Sequence, residues 1–282
     1  MKVAFCLWDS GFFKNAVSPL TEYYKSRGHE VCYLGYNNWG THKLQRLNHL
    51  DRVYFWNGEY PFLSGAKKYC AAKKIEVFNC EVAWFPQSQF IYVDRRGTNG
   101  NSSLFYDDLS WLEDSDYRNL EIVRESYKGN FRASDKGYIL VPLQLANDTS
   151  VVKWSPLRWV GDVVRAAQQT FPDREIIFRK HPKDPKSYND LGICASLRKG
   201  SESDLKSLIM GSSLVWGMNS TVLLEAALMG KKVVTCGKSL LNIGQNREEA
   251  LAALVSSQIG VGQRDLSFWM RSGRSLEHLN TI

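Results

Sequence analysis

Two short polar groups in this chain carry residue types that can hold a phosphate. Lys180-His181-Pro182 follows the apolar run Ile176-Ile177-Phe178, and Asn219-Ser220-Thr221 follows Val215-Trp216-Gly217 and precedes Val222–Leu228. A small polar turn between a strand and an amphipathic helix exposes hydroxyls together with the first unpaired N–H groups of that helix, at its positive end. Such an end attracts a phosphate. Glu225 lies one turn into the helix, where a carboxylate could accept hydrogen bonds from a ribose diol, and His181 could reach the same phosphate. Taken singly, each has a plainer reading. Ser and Thr before a helix are ordinary N-caps, His-Pro can simply end a strand, and a helical Glu commonly faces water. Together they outline a site for a nucleotide-activated sugar.

A second group lies in the first half of the chain. Glu81 and Asp94 each follow an apolar strand-like run and precede a turn, a position that points a side chain into a cleft. An Asp there could take the proton from an acceptor hydroxyl; alternatively it caps its turn and bonds Arg95 or Arg96. Lys67, Lys68, Lys73 and Lys74 lie in an expected helix, and positions seven apart nearly coincide on a helix. They read as a solvated face or as a phosphate-backbone contact. Asp9, Trp84, Arg95, Arg96, Lys67 and Lys74 are the candidate acceptor contacts. Asp114-Ser115-Asp116 has metal-binding spacing but follows no strand, and no metal is expected.

The elements that must position these groups alternate between strand and helix. Val3–Leu7, the turn Asp9-Ser10-Gly11, a helix to Ser26 and Glu30–Leu34 make a first βαβ unit. Arg52–Trp56, Val77–Glu81 and Phe90–Asp94 read as further strands, with a helix over Ser64–Lys74. Residues 105–130 read as an acidic, irregular linker. Tyr138–Pro142 opens a second α/β unit, followed by a polar loop through Ser150, a long helix from about Pro156 to Thr170, a strand over Glu175–Arg179, a helix over Ser203–Met210, and the strand–turn–helix–strand that carries Ser220. The expected domains are 1–130, 131–265 and a last helix over 266–282 returning to the first.

The chain has 282 residues, 44% of them hydrophobic and 23% charged, enough for two globular domains. Its net charge is +7, with an acidic excess only at 101–130, which suits an anionic partner. No apolar run is long enough to span a bilayer, and MKVAFCLW reads as a strand. The six cysteines lack pairing rhythm and read as buried apolar residues in a reducing, cytoplasmic setting.

Several of these blocks stand in one order. Glu81 with Val93-Asp94-x-x-Gly97, Val141-Pro142-x-Gln144 with Asp148, Lys180-His181-Pro182, and Asn219-Ser220-Thr221 with Glu225-Ala226 make the sequence resemble the capsular polysaccharide biosynthesis glycosyltransferases, including the retaining β-Kdo transferases. The resemblance implies an α/β protein of GT-B fold, two Rossmann-like domains facing each other across a cleft, with no cofactor beyond a UDP- or CMP-linked sugar donor. It places His181, Ser220 and Thr221 at the donor phosphate, Glu225 at the ribose, Gln144, Asp148 and Asn219 along the donor side, and Lys180 among the charges that replace a metal. Asp94, with Glu81, becomes the catalytic carboxylate, as base or as nucleophile. Size, charge and the absence of a membrane-binding element tilt the expected acceptor towards a hydroxymethylated base in DNA, stacked by Trp39, Trp56, Tyr60 or Trp84. The alternatives are a capsule or surface glycan taking a Kdo-type sugar from a CMP-linked donor, a nucleotide-sugar epimerase, and a non-catalytic nucleic-acid-binding protein.

Overall fold

A computed structural model describes residues 1–129, 137–194, 196–198 and 202–261. They divide into two compact units: one holds Met1–Asp108 and the described residues from Ala253 on, the other Leu109–Ala252. The first is built on β1 (Lys2–Leu7), β2 (Glu30–Gly35), β3 (Arg52–Trp56), β4 (Glu76–Val82) and β5 (Phe90–Asp94). The second is built on β6 (Tyr138–Pro142), β7 (Ile176–Arg179), β8 (Leu197–Arg198), β9 (Ser212–Gly217) and β10 (Val233–Thr235). A last short strand, β11 (Ile259–Gly260), belongs to the first sheet.

The first sheet has the order β11-β5-β4-β3-β1-β2. The strands β2, β1, β3 and β4 run parallel, while β5 turns back on β4 and β11 is antiparallel to β5. In β1 and β3 every residue from Val3 to Leu7 and from Arg52 to Trp56 is buried, as expected for parallel strands covered on both faces. Phe5, Tyr54 and Phe78 stack across three strands, with centroids 4.7 and 5.0 Å apart. The buried Tyr54 hydroxyl meets Tyr24 at 2.7 Å, and Tyr24 accepts from Arg52 at 3.1 Å, so no phenol is stranded in this core. The second sheet, β10-β9-β6-β7-β8, is parallel throughout.

Three expectations are corrected. The acidic stretch 105–130 is not an irregular linker: Asp114–Lys128 is a helix within the second unit. Its acids start it, for Glu113 and Asp116 form a reciprocal capping box and Asp114 sits in the first turn, where negative charge meets the helix dipole. Asp116, 2% exposed, is thereby committed to the cap. The long helix expected from about Pro156 starts later, at Val160–Thr170, and a further helix, Thr149–Trp154, precedes it where Asp148 caps a helix inside what reads as a loop. The helix Ser64–Ala72 ends two residues early, with Lys74 beyond it at φ +57°. The expected returning helix over 266–282 lies outside the described residues. Within them, β11 makes the return: Ile259 pairs with Ile91, and the Gln258 carboxamide oxygen accepts from the backbone N–H of Phe85 at 3.2 Å.

Candidate functional site

Parallel α/β sheets bind ligands beyond the carboxyl ends of their strands, at the point where strand order reverses. In the second unit β6 is flanked by β7 on one side and β9 on the other, so that point lies between the ends of β6 and β9. Gln144 and Asn219 leave those two ends and bridge them: Gln144 Nε2 donates to Asn219 Oδ1 at 3.1 Å, and the Asn219 N–H donates to Gln144 Oε1 at 3.4 Å. Asn219 Nδ2 also donates to the Ser150 carbonyl at 2.9 Å. The end of β10 packs close by. A Cβ on Gly237 would stand 2.9 Å from the Trp154 carbonyl oxygen and 3.4 Å from Asn219 Nδ2. Both amides thus brace the floor of the switch point.

Upon that floor stands the N-terminus of helix Thr221–Leu228. Ser220 caps it, its Oγ accepting from the Val222 N–H at 3.2 Å, which leaves the hydroxyl proton to donate elsewhere. Ser220, Thr221 and Glu225 are each half-buried, and four-residue spacing sets Thr221 and Glu225 on one face of the helix. Asp148 begins the neighbouring helix, with its Oδ1 accepting from Ser150 N at 2.7 Å.

From the end of β7, His181 Nδ1 accepts the Lys183 N–H at 3.1 Å, which fixes Nε2 as the protonated nitrogen of the neutral ring. Burial lowers its pKa below the ordinary imidazole value; the Asp148 charge opposes this, and Lys183 and Arg179 add to it. Lys180, next to His181, is 8% exposed, its Nζ donates to the Lys186 carbonyl, and it lies 5.8 Å from the Tyr188 ring centroid. One of its three ammonium protons is thus used within its own loop.

In the first unit, antiparallel pairing of β4 with β5 puts Glu81 opposite Tyr92 and Asn79 opposite Asp94. Glu81 and Asp94 therefore share a face of the sheet. Glu81 is half-buried, its Oε1 accepting from Val82 N at 2.9 Å. Asp94 is 7% exposed and accepts five hydrogen bonds. Arg96 N (2.7 Å) and Gly97 N (3.1 Å) reach Oδ1; Ser102 Oγ (2.8 Å), Ser103 N (2.7 Å) and Ser103 Oγ (3.0 Å) reach Oδ2. The plainer reading of Asp94, a turn cap, is what its bonds show, although the donors are backbone and serine groups and not the arginine side chains.

The expected acceptor contacts scatter. Trp84 is 3% exposed and stacks on Tyr92 at 4.5 Å, and Trp56 is 4% exposed, so neither presents a face to a base. Lys67 donates to Asn79 Oδ1 at 3.0 Å and Lys74 stands outside the helix, so the two share no basic face. Asp9 pairs with Lys14 at 3.0 Å in water. Arg95 and Arg96 are exposed, 5.3 Å from the Phe78 centroid and 3.6 Å from the Tyr106 centroid. Sequence reading missed Glu59. It is 6% exposed, and its Oε2 accepts from Asn101 Nδ2 at 2.9 Å; Asn57-Gly58 before it reads only as a turn. The cysteines are all free thiols, and burial pushes Cys70 up to about 11, away from nucleophilic use.

Residues 117–253, nearly the whole second unit, match the family described as capsule polysaccharide biosynthesis protein. Protein FixF of Sinorhizobium fredii is 33% identical over 132 residues, 43% of this chain and 32% of that protein. The lipopolysaccharide-processing protein LpsZ of Rhizobium meliloti is 30% identical over 112 residues, 37% of this chain and 25% of that protein. The chain thus spans about a third or less of these relatives. A KpsC β-Kdo 2,7 transferase structure from Thermosulfurimonas dismutans superposes with TM-score 0.61 at 16% identity, covering 88% of this chain and 89% of that one. The companion β-Kdo 2,4 transferase gives 0.60 at 15%. At such identity the likeness shows the fold, two Rossmann-like units of the GT-B class.

Proposed function

We propose that this chain, a relative of the capsule polysaccharide biosynthesis proteins, is a glycosyltransferase that moves a sugar from a nucleotide-linked donor to a hydroxyl of a bacterial surface glycan. The observation that carries the reading is the second unit's switch point. There a capped helix N-terminus with Ser220, Thr221 and Glu225 rises beside the braced Gln144–Asn219 pair, within the stretch that matches the family. In the reaction, the acceptor oxygen bonds to the anomeric carbon while the bond from that carbon to the phosphate oxygen breaks, and its electron pair leaves with the nucleotide. The helix end and the His181 Nε2–H would stabilise that leaving charge. Glu81 and Asp94 supply the carboxylates, one accepting the hydroxyl proton or, in a two-step retaining route, one bonding the sugar in between.

A glycan replaces DNA as the acceptor of choice. The matching family is described by capsule polysaccharide and LpsZ by lipopolysaccharide, and two of the tryptophans offered for base stacking are core residues. The structural likeness to β-Kdo transferases favours a CMP-linked Kdo-type donor. Thermal unfolding with CMP, UDP and GDP tests this: a nucleotide at 100 times its dissociation constant adds about 2.7 kcal/mol. We expect CMP to stabilise most. A protein that none of the three stabilises is not this transferase, and one that converts the donor to an epimer without acceptor belongs to another reaction class.

A further inference from the structure

The loop after β5 is folded around side chains that come from three places. Four successive backbone N–H groups point inward: those of Arg96 and Gly97 to Asp94, that of Thr98 to Glu59 Oε1 at 3.3 Å, and that of Asn99 to the Tyr92 hydroxyl at 2.8 Å. Successive N–H groups turned one way make an anion-binding concavity. Here the first three meet the protein's own carboxylates and the fourth a phenol hydroxyl. Glu59 comes from the turn after β3, a different strand end from that of Asp94, and holds the loop twice, through Thr98 N and Asn101 Nδ2. The fit leaves no room at Gly97, where a Cβ would stand 2.5 Å from Glu59 Oε1 and 2.6 Å from Asn101 Cβ.

We propose that Glu59 is a positioning residue for Asp94. By gripping Thr98 and Asn101 it sets the loop whose N–H and hydroxyl groups, from Arg96 to Ser103, aim both oxygens of the Asp94 carboxylate. Asp94 has no other described bond from its side chain to hold its rotamer. Loosening the far side of the loop therefore frees the near side. Glu59 itself touches no substrate. The inference rests on the transferase reading only in taking Asp94 as a carboxylate that acts on the sugar or acceptor.

The test uses the full chain, with Glu59→Ala and Glu59→Gln. Gln keeps an oxygen for Thr98 N–H, and Asn101, its amide turned over, can offer Oδ1 to the new Nε2. Amide hydrogen exchange reads the loop, and CMP release from CMP-linked Kdo reads turnover. In Glu59→Ala, exchange at Gly97 and Ser103, whose N–H groups bond Asp94 and not Glu59, should rise at least tenfold. Its kcat should fall ten- to a hundredfold with donor KM within twofold, since the donor contacts lie on the other unit. Glu59→Gln should restore most of both. If Glu59→Ala fails to fold, Asn101→Ala removes one of the two grips from the loop side and should raise exchange at Gly97 and Ser103 and lower kcat in the same direction, by less. Unchanged protection at Gly97 and Ser103 overturns the proposal, as does a loosened loop with unchanged kcat. If the native protein turns over no donor, the transferase reading fails, and exchange at Gly97 and Ser103 alone decides whether Glu59 holds Asp94.

Discussion

Asp94 accepts hydrogen bonds from Arg96, Gly97, Ser102 and Ser103. Asn at this position keeps one acceptor oxygen and turns an NH2 group towards backbone N–H groups that can only donate, Arg96 and Gly97 on one side or Ser103 on the other. With the site buried, Asp94→Asn should lose about 3 kcal/mol of stability in urea unfolding. A loss under 1 kcal/mol would mean that the loop does not depend on this carboxylate. At His181 the expectation concerns pH. Its folded pKa is lowered, mainly by burial, so the unfolded chain takes up the proton first as pH falls. The contribution to stability is whole above the ordinary imidazole value of 6.5 and declines below it. Between pH 7 and pH 5 the native protein should lose stability more steeply than His181→Gln; parallel curves would contradict this. The types of these residues were legible in sequence because each sits at a strand end. Their partners were not, since nothing local tells Asp94 that Ser102 and Ser103 fold back upon it, or brings Glu59 to Thr98 across a separation of 39 residues.

Most elements were legible, since periodicity and punctuation agree in them. The runs Arg52–Trp56 and Tyr138–Pro142 are strands with the expected bounds. The helix that carries Ser220 begins where a hydroxyl residue meets an apolar run and gives out just before Gly230, at φ +78°. The misread elements share one cause. At Asp114–Lys128 and Thr149–Trp154 acidic caps start helices in stretches whose polarity suggests loop. Replacing a cap isolates that effect. Ser220→Ala should cost about 1 kcal/mol in unfolding and, on the proposed function, weaken CMP binding beyond what the lost stability explains, because the capping hydroxyl keeps a proton to donate. Unaltered CMP affinity in a stably folded Ser220→Ala protein would leave Ser220 a cap alone.

At the scale of the whole molecule, two strand orders decide where ligands can sit, and strand order is what a single sequence states least. The GT-B class was inferred from small blocks in sequence, while the switch point between β6 and β9, where the donor site is proposed, needed the topology. Among the described residues no helix is long and apolar enough to cross a membrane. The second unit runs unbroken from Leu109 to Ala252, whereas the first closes only when β11 joins β5. Ending the chain after Ala252 should lower the unfolding temperature of the first unit by several degrees, with Phe85 losing its Gln258 partner and β5 left as an edge. An unchanged transition would show that β11 is dispensable. Synthesis meets the same order in time. Domains generally fold from the amino end as they leave the ribosome, but this nascent amino-terminal sheet must wait, one border unfinished, through the translation of the entire second unit before its closing strand emerges. Lengthening that delay, by slowing translation between codons 109 and 252, should expose β5 to pairing with other nascent chains.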